Sequence, residues 1–116
     1  MTIILYGIPN CDTVKRARTW LEGQGIAYAF HDYKKAGADP DRIASWITQA
    51  GLDKVLNRAG TTFRKLPDTE RGGLDEARAA ALMAANPSCI KRPIVEYPGG
   101  GLLVGFKADE WQAALR

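Results

Sequence analysis

Residues 2–30, TIILYGIPNCDTVKRARTWLEGQGIAYAF, restrict the fold more than any other part of this sequence, because they string three elements together with almost no linker. TIILY (2–6) is a short apolar, β-branched run of the kind that forms a buried strand. Gly7-Ile8-Pro9-Asn10 breaks it, and Asn10 has the side chain to cap a following helix. In that helix Val14, Ala17 and Leu21 share one face, while Lys15, Arg16 and Arg18 point elsewhere. Gly23 and Gly25 end it. IAYAF (26–30) then sets Ile26, Tyr28 and Phe30 on one side and two alanines on the other, a second strand. The chain thus opens β-α-β.

Beyond this opening, ADPDRIASWITQAG offers Asp39 as an N-cap, Pro40 at the first helical position, and an apolar stripe of Ile43, Trp46, Ile47 and Ala50 that Gly51 stops. DKVLN reads as one short helical turn. RAGTTFRKLPDTERGG, residues 58–73, shows no period, and an irregular stretch of that length inside a compact domain is often functional. LDEARAAALMAA is helical and stops at Asn86-Pro87. PIVEY and LLVGF flank PGGG as a hairpin, and DEWQAALR closes the chain as a helix. The expected order is β-α-β, a helical insert, then β-β-α, in one domain spanning residues 1–116 with no repeat or low-complexity linker.

Composition removes several classes of function. Hydrophobic residues make up 46% and charged residues 25%, ordinary values for a globular chain. No apolar run approaches the ~18 residues of a membrane span, and MTIILYG lacks the parts of a signal peptide. A cytoplasmic protein with no membrane partner is expected. The net charge of +3, with no run of basic residues, does not announce nucleic-acid binding, though it suits a small anionic ligand if the cations converge. One histidine and two distant cysteines offer no metal-ligand spacing, so no metal is expected. A reducing compartment would keep Cys11 and Cys89 as thiols.

Cys11 stands where a strand hands over to a helix. Helix N-termini present unpaired N–H groups and the positive end of the dipole, and a cysteine there has its thiolate stabilised. Lys15 and Arg16 favour that anion and Asp12 opposes it. A reactive thiol and a small hydrophobe at an element junction are both open readings of the position, and the first suits the context better.

Taken together, YGIPNCDTVKRARTWL, FHDYKKAG, VLNRAGTTFRKL, PSCIKRPIVE and LLVGFKADEW resemble the arsenate reductase (ArsC-like) family of the thioredoxin superfamily, most closely its YffB-type subgroup. The blocks cover nearly the whole chain. The resemblance implies an α/β thioredoxin/glutaredoxin-like fold with a helical insertion, and a cis bond at Arg92-Pro93 that turns Pro93 towards the catalytic cysteine, Cys11. It further implies arginines that clamp an oxyanion. Arg92 in KRPIV matches one directly. Lys107 in GFKADE occupies the place of another, and Arg58 matches a third only with a one-residue offset, Asn57 standing at the ungapped position. A lysine is a point charge and cannot grip an oxyanion in two places as a guanidinium does.

The YffB-type likeness implies a glutathione-dependent thiol reductase in which Cys11 is the nucleophile and glutathione the co-substrate. Arg92, Arg58 and Lys107 would hold glutathione or a small oxidised or oxyanion substrate. No C-x-x-C is present, since Asp12, Thr13 and Val14 follow Cys11, so an external thiol completes the cycle. Two alternatives stay open: an arsenate reductase drawing on glutathione and glutaredoxin, and an Spx-like transcription regulator that binds RNA polymerase.

Other residues carry plainer readings. Cys89 is a buried hydrophobe or a resolving thiol, the former being the commoner role. His31 suits a hydrogen-bonded structural place, and Arg64, Lys65 and Arg71 a solvated face. Trp20, Trp46 and Trp111 fall at helical packing positions. No exposed apolar repeat calls for a second copy, so a monomer is expected.

Overall fold

The computed structural model describes residues 2–115. Along the chain come β1 (Ile4–Gly7), α1 (Asp12–Gly23), β2 (Ala29–Asp32) and the single-turn α2 (Tyr33–Ala36). Next are α3 (Pro40–Ala50), α4 (Leu52–Val55), α5 (Thr61–Arg64), α6 (Asp68–Arg71), α7 (Glu76–Ala85) and a 3-10 turn at Pro87–Cys89. β3 (Ile94–Tyr97), β4 (Gly101–Val104) and α8 (Ala108–Leu115) complete the order read from the sequence. The residues group into two units: one holds the chain up to Tyr33 and from Arg92 onward, the other runs from Lys34 to Lys91.

The first unit is a four-stranded sheet in the order β2-β1-β3-β4. β1 runs parallel to β2, with Leu5 opposite Phe30 and Gly7 opposite Asp32. It runs antiparallel to β3, with Leu5 opposite Val95 and Tyr6 opposite Ile94. β3 and β4 form the expected hairpin, Ile94 facing Val104. Leu5, Val95 and Leu103 of the sheet, Val14, Ala17 and Leu21 of α1, and Trp111 of α8 form one buried core, the α1 face being the one its spacing marks out. Trp111 also donates its indole N–H to the Gly105 carbonyl at 3.1 Å. It lies edge-on to Phe106 with ring centroids 4.8 Å apart.

Local details depart from the sequence reading. β1 extends through Gly7 rather than ending at Tyr6. A Cβ at Gly7 would sit 2.8 Å from Cγ2 of Val14, so glycine there lets α1 approach the strand, and is more than a chain breaker. β2 starts at Ala29, whose partner is Ile4, and not at Ile26. Ile26, Tyr28 and Phe30 still alternate inward, half-buried against the core, while Ala27 and Ala29 face out. The N-cap of α1 is Cys11, not Asn10, which is exposed.

In the second unit the expected cap is in place: an Asp39 carboxylate oxygen accepts from Asp41 N–H at 3.0 Å. Asp75 does the same for α7, accepting from Arg78 N–H at 2.7 Å. Ile43, Trp46 and Ile47 of α3 and Ala79, Ala80 and Met83 of α7 are buried. The stretch 58–73 is not structureless, because it holds α5 and α6, each one turn long. Cys89 is fully buried, and its carbonyl accepts from Asn57 N–H at 2.8 Å beside the bridge between Leu56 and Ile90.

Candidate active site at Cys11

Strand register gathers the site. Gly7 ends β1, and Ile8-Pro9-Asn10 leads from it to Cys11. Because Gly7 pairs with Asp32, the C-terminal end of β2 and the next residue, Tyr33, lie at that same end of the sheet. Because Tyr6 pairs with Ile94, the antiparallel β3 begins there, just after Arg92 and Pro93. β4 also finishes there, since Val104 faces Ile94, and Gly105 N–H donates to the Pro93 carbonyl at 2.8 Å. Three distant parts of the sequence therefore meet where β1 gives way to α1.

Cys11 has extended backbone angles (φ −92°, ψ 125°), and its carbonyl accepts the first helical bond, from Lys15 N–H at 2.9 Å. Its side chain makes no capping bond, so the first-turn N–H groups of α1 are left for whatever approaches the sulfur. The residue is half-buried against the core of the first unit, which leaves part of its surface to solvent. The residue is thus packed on one side and partly exposed on the other. Pro93 is buried and follows a cis peptide bond, as the family resemblance implies. Arg92 is partly buried.

Tyr33 joins this group, and the sequence reading overlooked it. Its side chain is 1% exposed. Its hydroxyl is held above the ordinary tyrosine range, first by burial; the Arg92 guanidinium pulls the other way, and the Cys11 thiol and Asp32 carboxylate push up. All three groups are thus near enough to act on the Tyr33 oxygen. A signal was present in FHDYKK: a tyrosine directly after a strand, at the strand end that faces the cysteine loop.

The remaining sequence candidates stand differently. Lys107 follows β4 by three residues, is exposed, and lies 3.6 Å from Glu110 on the first turn of α8. Arg58 belongs to the second unit, where its guanidinium meets Asp53 at 3.3 Å on the surface. Arg64, the last residue of α5, and Lys65 just after it are exposed, and Arg71 pairs with Asp68. Burial pushes the Cys89 thiol up, which disfavours the thiolate a resolving cysteine needs. His31 lies within β2, its ring 5.0 Å from that of Tyr6. Among the described residues no cluster of three or more His, Cys, Asp or Glu side chains could hold a metal ion.

The model of the ArsC family matches residues 6–114. The chain belongs to the ArsC family. Among solved structures, the YffB (PA3664) protein superposes on this ArsC-family chain with a TM-score of 0.95 at 55% identity, covering 99% of this chain and all of the other. An arsenate reductase (ArsC) related protein from Brucella melitensis gives a TM-score of 0.74 at 49% identity over 100% of this chain and 96% of that one. The global transcriptional regulator Spx of Listeria monocytogenes is 29% identical over 110 residues, 93% of this chain and 82% of Spx. The thioredoxin-like α/β fold and YffB-type membership implied by the sequence blocks agree with these relatives.

Proposed function

We propose that this ArsC-family protein is an oxidoreductase, a glutathione-dependent thiol reductase with Cys11 as its single nucleophile. The observation that carries the reading is the convergence of a partly exposed cysteine at a helix N-terminus, Arg92 and cis-Pro93 at one end of the sheet. The Cys11 thiolate attacks the glutathione sulfur of a mixed disulfide R–S–S–G, forming Cys11–S–S–G and releasing RS⁻. A second glutathione thiolate then attacks the glutathione sulfur of that adduct, returning the Cys11 thiolate and leaving oxidised glutathione. Arg92 offers a planar fork for a glutathione carboxylate. Lys107, exposed and facing Glu110, adds at most a screened point charge. Cys89, buried and with its thiol pushed up, has no part in resolution.

The test is turnover of a glutathione mixed disulfide, coupled to NADPH oxidation through glutathione reductase, with mass spectrometry of the trapped adduct. Wild type and Cys89→Ala should turn over and carry glutathione on Cys11, and Cys11→Ser should do neither. Arsenite production from arsenate, without turnover of the mixed disulfide, would replace this reading with arsenate reduction. RNA polymerase binding that survives Cys11→Ser, in a protein with no turnover, would replace it with a regulator like Spx.

A further inference from the structure

We propose that the Tyr33 hydroxyl donates a hydrogen bond to the thiolate that leaves when Cys11 attacks a disulfide, acting beside Arg92. The inference rests on the thiol reductase reading and adds a residue to it. Tyr33 is 1% exposed, yet its hydroxyl has no hydrogen-bond partner among the described residues. Buried polar groups are almost always satisfied, and an orphaned one calls for a partner from outside the chain. Tyr33 directly follows β2, whose last residue, Asp32, pairs with Gly7, the last residue of β1 before the Cys11 loop. The charges that act on it come from the elements of the site: Arg92 ahead of β3, Cys11 ahead of α1, and Asp32 at the end of β2.

The chemistry expected of this oxygen is narrow. Its raised affinity for the proton keeps it an O–H at neutral pH, so it serves as a donor and not as a base. It makes no hydrogen bond to the Cys11 sulfur, which leaves its proton for a second sulfur. When Cys11 attacks oxidised glutathione, the Cys11–sulfur bond forms, the sulfur–sulfur bond breaks, and the departing sulfur takes both electrons. That sulfur becomes the anion beside Arg92 and Tyr33. The hydroxyl stabilises it without transferring its proton, and the glutathione thiolate takes its own proton from water after release.

Two single-turnover reactions of the intact protein separate this role from the others. Exchange with oxidised glutathione has a leaving thiolate, whereas alkylation of Cys11 by iodoacetamide has none. In Tyr33→Phe the exchange rate should fall about tenfold or more, the worth of a hydrogen bond to a charged group. Cys11 alkylation, followed from pH 5 to 10, should keep its rate and midpoint, and the melting temperature should stay level or rise because an unpaired hydroxyl has been removed.

An alkylation midpoint displaced upward along with slower exchange would assign the hydroxyl to Cys11 itself and overturn the proposal. Unchanged exchange in a folded Phe variant would make Tyr33 a packing residue and overturn it too, leaving the reductase reading intact. Absence of any glutathione adduct on wild-type Cys11 would remove both. Should the Phe variant not fold, 3-fluorotyrosine at position 33 keeps the contacts with a more acidic hydroxyl. It should then speed exchange without changing alkylation, and equal exchange rates would count against the proposal.

Discussion

Two thiols meet the same reagent under different conditions in this chain. Cys11 is half-buried at the start of α1, while Cys89 is fully buried and its thiol is pushed up. Iodoacetamide at neutral pH should therefore label Cys11 about tenfold faster or more, by peptide mass spectrometry of the folded protein. Denaturant should erase the difference. Gly7 carries a second expectation. The 2.8 Å separation between its hypothetical Cβ and Val14 Cγ2 makes Gly7→Ala an overpacking change, costing about 1–3 kcal/mol in urea unfolding. Val14→Ala in the same chain should recover part of that loss. The sequence marks Gly7 and Cys11 equally well as residues at an element boundary. It cannot show that one is small because a helix presses on it, or that the other shares its end of the sheet with Arg92, since both reasons lie in long-range contacts.

Among the elements, α3 advertises its start with Asp39, and the structure adds Asp75 as the cap of α7; both carboxylates accept a backbone N–H. Asp39→Ala and Asp75→Ala should each lower stability by about 1 kcal/mol, read from denaturant midpoints. α1 differs, because its cap is a cysteine whose side chain makes no capping bond. Serine is a good N-cap, so Cys11→Ser should abolish thiol chemistry while stability holds or rises by up to about 1 kcal/mol. Loss of activity with lowered stability would contradict that separation. The longer helices were legible from their spacing and caps. α5 and α6 were not, because one turn is too short to show a period, and the beginning of β2 was misplaced because the extent of a ladder depends on its partner strand.

Over the whole molecule, the element order was readable from strand and helix patterns, whereas the pairing of β1 with both β2 and β3 is what makes a site of it. Cys11 was singled out by its junction, and Arg92 and Pro93 by family resemblance. Tyr33 escaped because its place just after β2 in FHDYKK shows only where the ring sits, whereas the missing partner of its buried hydroxyl depends on the folded surroundings. Among the described residues no helix is long and apolar enough to cross a membrane.

Alkaline pH gives a global check. Tyr33 and Cys89 both hold their protons more tightly when folded. The unfolded chain releases them first, so stability is complete below the ordinary thiol and phenol values and falls as pH rises past them, by at most about 1.4 kcal/mol per group per pH unit. Urea titrations from pH 8 to 11 should show that decline, and Tyr33→Phe should flatten its upper part. An equal decline in that variant would count against the Tyr33 contribution.

The chain leaves the sheet after Asp32 and rejoins it at Ile94, on strands that flank β1 on either side. The neighbourhood of Cys11, Tyr33 and Arg92 is therefore inherited with three short strands and owes little to the length of the text spliced between them. Closing a longer loop costs only logarithmically more. A change in the length of residues 34–91 should therefore leave the order of these strands, and the sheet end they share, unaltered.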